Sequence, residues 1–337
     1  MRANDIKWAN QLRLLQHIRR EGRVSQATLA ADNDLRPSTV SVLMRPLKEA
    51  GLVTVVGRGS SGTVGGKRPE LLALSGSHAS FVGVYVRPNR LEFHVMDYAE
   101  TETHTETLPL PGAGPRGIVE LIAERVSEIA GSTEHFGGTG IAVSSIVAPR
   151  GDVEPSAGFP RSLPDFRDLL LDRIGSDAPL ILENDANCAA VFADQWLRTA
   201  HRHMVTVLAD LEHGLIGTGL ITDGTLYRGG HGAAGELWDP RPPLGGVSGT
   251  GEGGSDGAGI TRLAYHIATA QSIIDPEVTV VCNGRPAEAE ENVELQRLLE
   301  EAGARGHLAI LEESRAPILG ACLLVAREYE ERFVRRN

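Results

Sequence analysis

Residues 181–190 (ILENDANCAA) restrict the fold of this chain more than any other stretch. An apolar strand end at residues 180–182 runs directly into three polar side chains, Glu183, Asn184 and Asp185, and then into an alanine-rich helical stretch. Such a switch from strand to helix is typical of open α/β sheets, in which ligands bind at the carboxyl ends of strands and at the N-terminus of the next helix. The stretch therefore predicts an α/β fold with a ligand cleft at this point.

Asn184 and Asp185 have two interpretations. Both residue types commonly cap helices, but Asn187 is able to fill the capping position alone. Capping by Asn187 would leave Glu183, Asn184 and Asp185 unexplained. We therefore predict that the Asn184 amide and the Asp185 carboxylate point into the cleft.

The length of 337 residues predicts two or three domains. The three cysteines are not closely spaced, which argues against a disulfide framework and suits a reducing compartment. No apolar run is long enough to span a membrane, and the first residues do not resemble a signal peptide. These features predict a soluble cytoplasmic protein with no membrane partner.

Charge divides the chain into a basic head, residues 1–74, and an acidic body, residues 80–337. The head contains 3 Lys and 9 Arg against 3 Asp and 3 Glu, a net charge of +6, although the whole chain carries −11. Phosphate contacts dominate the affinity of proteins for nucleic acids. The imbalance therefore predicts that only the head binds a polyanion.

Apolar periodicity predicts three helices in the head, at residues 6–20, at residues 26–31 and from about residue 37. Ser25 is a suitable cap for the second helix. Pro46 predicts a kink or a break in the third helix, because proline removes a backbone hydrogen bond. Strand-like runs at residues 52–56 and 70–74 then flank a Gly/Ser-rich basic loop. The head thus has the pattern of a winged helix-turn-helix.

The third helix has two faces. Val40, Leu43 and Leu47 form a predicted buried stripe, and the opposite face is polar, as in a helix that lies in a major groove. Expected DNA contacts come from that face, from the start of the second helix and from the basic wing. They are Ser25, Gln26, Ser38, Thr39, Ser41, Arg45, Arg58, Lys67 and Arg68. Three-helix modules with a hairpin also bind proteins, but the charge of the head favours DNA.

The body shows two runs of strands, each followed by alternating helices and strands. Predicted strands lie at residues 81–86, 91–96, 105–110, 138–147, 180–182, 204–211, 215–222, 278–282 and 308–311, and predicted helices at residues 117–130, 166–174, 261–274, 290–302 and 317–335. This repetition predicts two similar α/β lobes separated by a cleft, the actin-like, sugar-kinase-type architecture.

Motifs along nearly the whole chain resemble the ROK family, which groups repressors, open reading frames and sugar kinases. They are Gly65-Gly66-Lys67-Arg68-Pro69, Glu183-Asn184-Asp185-Ala186-Asn187, His231-Gly232-Ala233-Ala234-Gly235-Glu236, Ile273-Ile274-Asp275-Pro276-Glu277-Val278 and Leu319-Gly320-Ala321. The order and spacing of these motifs carry the resemblance. It implies a winged helix-turn-helix followed by a two-lobed ROK body.

The resemblance also implies roles for three residues. In the family kinases the aspartate matching Asp185 deprotonates the sugar hydroxyl, and the residues matching Asn184 and Glu236 bind sugar hydroxyls. A sugar site at Asn184, Asp185 and Glu236 is therefore implied. Glu236 has a second interpretation, as a carboxylate favoured at a helix start, and the sequence leaves both open.

Two departures from the family pattern argue against catalysis and against a metal. Residues 84–90 (VYVRPNR) replace the Asp-x-Gly-x-Thr phosphate loop of the kinases, and Pro88 has no amide to offer a phosphate. Asp239 stands where the family has a zinc-binding histidine, and residues 244–259 lack the family's cysteines. We therefore expect no phosphoryl transfer, no zinc and no cofactor.

The sequence predicts a ROK-type transcriptional regulator, and repression is the usual logic of the family. It would bind a double-stranded operator as a homodimer or tetramer and sense a sugar or sugar derivative in the cleft. Two alternatives stay open. One is an ATP-dependent sugar kinase with a DNA-binding domain, and the other is a degenerate ROK body that serves only for oligomerisation.

Overall fold

The structure is a computed structural model that describes residues 3–59, 68–110, 114–156, 159, 161–210, 215–237, 256–283 and 289–336. Within these ranges the head precedes two five-stranded sheets that form the lobes of the body. None of the helices in the described ranges has both the length and the apolar character of a membrane span.

The head contains three helices and a three-stranded sheet. In chain order these are α1 (Ala3–Glu21), β1 (Val24–Ser25), α2 (Gln26–Asp32), α3 (Pro37–Glu49), β2 (Val53–Arg58) and β3 (Glu70–Leu74). The strands pair antiparallel in the order β1-β3-β2. Gly22, with φ +71°, ends α1 and donates its N–H to the carbonyl of Ile18. The Ser25 hydroxyl accepts the N–H of Thr28 and caps α2, and the predicted winged-helix arrangement is confirmed.

Helix α3 continues through Pro46 to Glu49, so the predicted break is wrong, and the alternative of a kink stays a prediction. Proline removes a single hydrogen bond, the one that would reach the carbonyl of Val42. Leu47 is buried in the head core and holds the last turn in place. The N–H of Ala50 donates to the carbonyl of Pro46 and completes this turn.

The first lobe is built on a sheet in the order β6-β5-β4-β7-β8. Its strands are β4 (Ser80–Val86), β5 (Arg90–Asp97), β6 (Glu102–Pro109), β7 (Phe136–Val143) and β8 (Leu180–Asn184), and its helices are α4 (Pro115–Ser132) and α5 (Phe166–Ile174). The first three strands are antiparallel, and β4, β7 and β8 are parallel. β7 ends at Val143, four residues before its predicted end, and the next residue, Ser144, donates its hydroxyl to Tyr85.

The second lobe repeats this arrangement in the order β11-β10-β9-β12-β13. Its strands are β9 (Met204–Asp210), β10 (Leu215–Thr222), β11 (Thr225–Tyr227), β12 (Val278–Asn283) and β13 (His307–Leu311), and its helices are α7 (Asp256–Ile274) and α8 (Ala289–Glu301). Three strands are again antiparallel, and β9, β12 and β13 are parallel. The predicted two-lobed α/β body is confirmed, although the three-residue β11 is too short to show in the sequence pattern.

Helices α6 (Asp185–Trp196) and α9 (Ala316–Arg336) each cross from one lobe to the other. α6 follows β8 of the first sheet but packs on β9 and β10 of the second, and α9 follows β13 but packs on β4 and β7 of the first. Glycines permit this close packing: a Cβ on Gly140 would lie 2.0 Å from the carbonyl oxygen of Ala321, and one on Gly219 would lie 2.3 Å from that of Ala186. The two crossing helices therefore connect the lobes.

The apolar core of the head continues into the body. Leu15 and Ile18 of α1 share one buried cluster with Phe81 of the first sheet and with Val325 and Val334 of α9. Between head and body lies a single turn of 3-10 helix, Gly76–His78. The division of the chain into domains at residues 74 and 80 remains a prediction.

Candidate functional site

The cleft residues begin where β8 turns into α6. Asn184 has the extended backbone of a helix N-cap, and its Oδ1 accepts the N–H of Asn187 at 3.0 Å. The sequence-based assignment of the cap to Asn187 is therefore wrong. Asn187 lies inside the helix, and its Nδ2 donates to Glu183 Oε1 at 2.9 Å. The cap must come from the last extended residue, because only that position aims its side chain at the free amides of the first turn.

The other end of the Asn184 amide faces the cleft. Its Nδ2 donates to the carbonyl of Ser145 at 3.0 Å and lies 3.5 Å from Glu236 Oε1. Glu236 belongs to a turn in which Gly232 and Gly235 have φ of +78° and +86°. A Cβ on Gly235 would lie 2.0 Å from the carbonyl oxygen of Thr218 on β10. The glycines of the motif at residues 231–236 thus allow the turn to approach the backbone closely enough to place Glu236 beside Asn184.

Asp185 is held by two donors. Its Oδ2 accepts the Tyr85 hydroxyl at 2.8 Å, and its Oδ1 accepts the N–H of Ala186 at 2.8 Å. The Tyr85 oxygen in turn accepts the Ser144 hydroxyl at 3.1 Å. Sequence reasoning missed Tyr85 and Ser144. The only signal for Tyr85 is a polar tip near the carboxyl end of an otherwise apolar strand.

Burial and charge shift the acidity of this cluster. Burial raises the pKa of Asp185, against the lowering effect of the hydrogen bonds from the Tyr85 hydroxyl and the Ala186 N–H. Burial, together with the nearby Asp185 carboxylate, raises the pKa of Glu236 from 4.5 to about 7. The structure thus brings the three predicted ligand residues, Asn184, Asp185 and Glu236, together as one amide and two carboxyl groups. Such a set offers hydrogen-bond acceptors and donors to hydroxyl groups.

The turn between β4 and β5 stands where the family kinases have their phosphate loop. The Arg87 N–H donates to the carbonyl of Arg90 at 3.0 Å and closes the turn. The Arg87 guanidinium lies 5.3 Å from the centre of the Tyr85 ring and donates to Asp210 Oδ2 at 3.1 Å. Because Asp210 ends β9, this ion pair joins the two lobes across the cleft. The turn presents an arginine side chain at the place of a glycine-rich amide cradle.

The three cysteines lie on separate elements. Cys188, Cys282 and Cys322 are all buried, on α6, β12 and α9 respectively. Asp239, the residue at the family's zinc-histidine position, lies outside the described residues.

The predicted DNA-binding residues lie mostly on an exposed surface of the head. Ser38, Ser41 and Arg45 on α3 are exposed, as are Arg58 and Arg68 of the wing, and Gln26 and Thr39 are half-buried. Ser25 is buried, because its hydroxyl caps α2. Lys67 lies outside the described residues.

Val42 lies on the same exposed face of α3, and sequence reasoning passed over it. Its side chain is 63% exposed, one turn after Ser38 and one turn before Arg45. Valine is a poorer helix former than most exposed residues, and here burial does not compensate for that cost. The signal in the sequence is an apolar residue outside the buried stripe.

These features define a winged helix joined to a two-lobed body of the actin-like, sugar-kinase type. A sequence model of the ROK family matches residues 82–238 of the chain. The chain is 24% identical over 240 residues to a xylose repressor of Staphylococcus xylosus, an alignment that covers 70% of this chain and 61% of the relative. It is 27% identical over 240 residues to a xylose repressor of Bacillus subtilis, with 69% of this chain and 60% of the relative covered. The matched region thus spans about three fifths of the length of these relatives.

Solved structures show the same fold. A ROK family transcriptional regulator described as a homologue of the Escherichia coli MLC protein matches 97% of this chain and 97% of its own, with a TM-score of 0.69 and 14% identity. A ROK hexokinase from Thermus thermophilus matches 72% of this chain and 97% of its own, with a TM-score of 0.56 and 20% identity. The regulator therefore shares the head and the body, whereas the hexokinase matches a smaller part of the chain.

Proposed function

We propose that this chain is a transcriptional repressor that binds an operator through its head and a sugar through the cleft of its body. The observation that carries the proposal is the head itself, docked on the body and matched together with it by a solved ROK regulator over 97% of both chains. The names of the curated relatives, which are xylose repressors, support the same function.

The exposed face of α3 supports DNA binding. Ser38, Ser41 and Arg45 project from a helix whose opposite side is buried, so the first turns are free to reach base edges in a major groove. The exposure of Arg58 and Arg68 on the wing supports contacts with phosphates. We propose that a homodimer presents two heads to two half-sites, because two-fold symmetric binding multiplies specificity.

The cleft supports a neutral polyhydroxy effector. The carboxyl groups of Asp185 and Glu236 are suited to accept hydrogen bonds from the hydroxyl groups of an effector. The Asn184 amide lies beside Glu236 and also caps α6. The names of the relatives make D-xylose the first compound to test. An effector releases the operator only if it binds one conformation better than the other.

The same cleft argues against phosphoryl transfer. The Arg87 guanidinium pairs with Asp210 at the turn where a kinase would cradle a nucleotide phosphate, and the Tyr85 hydroxyl donates to the Asp185 carboxylate that would act as the base. We therefore propose that the chain regulates and does not phosphorylate. A coupled assay with ATP and a sugar panel tests this point, and turnover that Asp185→Asn abolishes would establish the kinase alternative instead.

Operator binding is tested by selecting sites from a random duplex library and measuring affinity against salt. Arg45→Ala should weaken binding to the selected site more than to random DNA. Arg68→Ala or Lys67→Ala should weaken binding to the selected site and to random DNA alike. Each should lower the slope of log affinity against log salt concentration by about 0.9, since each removes one phosphate contact. Failure of the wild type to enrich any sequence would exclude the proposed function.

A further inference from the structure

The C-terminal end of α1 rests on both crossing helices. Arg19 donates to Glu330 of α9 and, at 2.9 Å, to Glu100 in the turn after β5. Arg20 donates to the two carboxylate oxygens of Asp194 on α6, at 2.9 and 2.8 Å. Adjacent residues of the head thus hold α9, which packs on the first lobe, and α6, which packs on the second.

Helices α6 and α9 touch closely between the cleft and this junction. A Cβ on Gly320 of α9 would lie 1.8 Å from the carbonyl oxygen of Cys188 on α6. The helices pack with almost no space at that point, so a rotation of one lobe against the other moves their ends. Asp185 at the cleft and Asp194 at the junction stand on the same rigid helix, roughly 14 Å apart along its axis.

Asp194 has a second cation within reach. Its Oδ2 lies 2.8 Å from Arg20 of the head and 3.6 Å from Arg327 of α9. The Arg327 side chain is also left incomplete, because its Nε is buried without a hydrogen-bond partner. A small movement of the C-terminal end of α6 would exchange the closer contact with the head for a closer contact with Arg327 of the body. A carboxylate between two arginines is able to pair more closely with either of them.

We propose that Asp194 is a switch residue that couples the cleft to the head, pairing with Arg20 in one lobe arrangement and with Arg327 in the other. This coupling rests on the proposed function, in which the body responds to an effector and the head binds DNA. The Gln195 side chain, which donates to the carbonyl of Arg19 at 3.0 Å, adds a neutral contact at the same junction. Coupling is reciprocal, so operator binding must bias the lobes as much as the lobes bias the head.

Reciprocity permits a test without a known effector. In the full-length chain, Ser127→Cys on α4 and Glu300→Cys on α8 place spin labels on exposed positions of the two lobes. The native cysteines are buried and need not be removed. The distance between the labels is measured by double electron–electron resonance in the free protein, with the selected operator duplex and with a scrambled duplex.

The operator, and not the scrambled duplex, is expected to change the distance by about 2 Å or more. Arg20→Ala and Asp194→Asn should abolish this change while the protein still retards the operator in a gel. Arg202→Ala is the matched control, since it removes an exposed arginine–aspartate pair with Asp223 away from the junction, and it should keep the full change. Asp194→Asn preserves the size of the side chain, so this variant still provides the test if Arg20→Ala fails to fold.

Two results would overturn the switch. One is a wild-type complex with the operator whose label distance is unchanged, and the other is a full change in both junction variants. A wild type that binds no specific sequence would exclude the proposed function as well, and the gel separates this case from binding without lobe movement.

Discussion

Glu236 gives the sharpest quantitative test of the cleft. Its pKa is raised from 4.5 to about 7, first by burial and then by the Asp185 carboxylate. In the folded protein Glu236 therefore stays protonated up to about pH 7, whereas in the unfolded chain it ionises above about pH 4.5. The contribution of Glu236 to stability is fully present below the unfolded pKa and is lost as pH rises through the folded pKa.

The size of this loss follows from the two pKa values. One pKa unit corresponds to about 1.4 kcal/mol, so the full shift corresponds to about 3.4 kcal/mol. Between pH 5 and pH 8 the linkage relation gives about 2.5 kcal/mol, because the unfolded state is already partly ionised at pH 5. Partial exposure of the carboxyl group makes this value an upper bound.

Glu236→Gln replaces the carboxyl group by a neutral group of the same shape that does not titrate. Urea unfolding at pH 5 and pH 8 measures the difference in unfolding free energy between variant and wild type at each pH. That difference should shift by up to about 2.5 kcal/mol in favour of the variant at the higher pH. Glu134→Gln, at a side chain that is 92% exposed, controls for the loss of one carboxylate. If the two variants show the same pH dependence to within about 0.5 kcal/mol, the burial argument is refuted.

Three further predictions test other contacts. Tyr85→Phe should cost about 1.5 to 3 kcal/mol in urea unfolding at pH 7, and the cost should fall to about 0.5 to 1.5 kcal/mol in an Asp185→Asn background, since an amide oxygen is a weaker acceptor than the carboxylate. Gly320→Ala should destabilise the chain by about 3 kcal/mol because its Cβ would strike a carbonyl oxygen, whereas Gly131→Ala on α4 meets open space and should gain up to about 1 kcal/mol in thermal unfolding. Val42 should contact the methyl group of a thymine in the operator. Replacing that thymine by uracil should therefore weaken wild-type binding about fourfold and leave the binding of Val42→Ala unchanged. Equal losses of affinity for both proteins would exclude the contact.

The ends of several helices could be predicted from the sequence because individual residues determine where those helices begin or end. Gly22 ends α1, Ser25 caps α2, and Pro37 begins α3. Each of these residues acts through its own backbone angles or through a hydrogen bond to a neighbour in the chain. The alternation of strands and helices likewise predicted two lobes, since hydrophobic periodicity reports which face of each element is buried.

Contacts between distant parts of the chain were not readable in this way. Tyr85 and Asp185 are 100 residues apart, and Arg20 and Asp194 are 174 residues apart. The first pair exists because one sheet holds both β4 and β8, and the second exists because α1 contacts the end of α6. Hydrophobic patterning does not encode which side chains these arrangements bring together. The break expected at Pro46 failed for a related reason. Burial of Leu47, which is a tertiary effect, outweighs a local preference.

Asn184 shows why capping and ligand binding were not true alternatives at the start of α6. An amide has an acceptor end and a donor end. The acceptor satisfies the N–H of Asn187, and the donor reaches the Ser145 carbonyl and Glu236. The cap therefore fixes the orientation of the group that faces the cleft. A ligand that moved Glu236 would disturb its contact with Asn184, which is anchored to the first turn of α6. Asp194, near the other end of α6, contacts Arg20 of the head. In the proposed switch, Asn184 links the start of α6 to the cleft, and Asp194 links the end of α6 to the head.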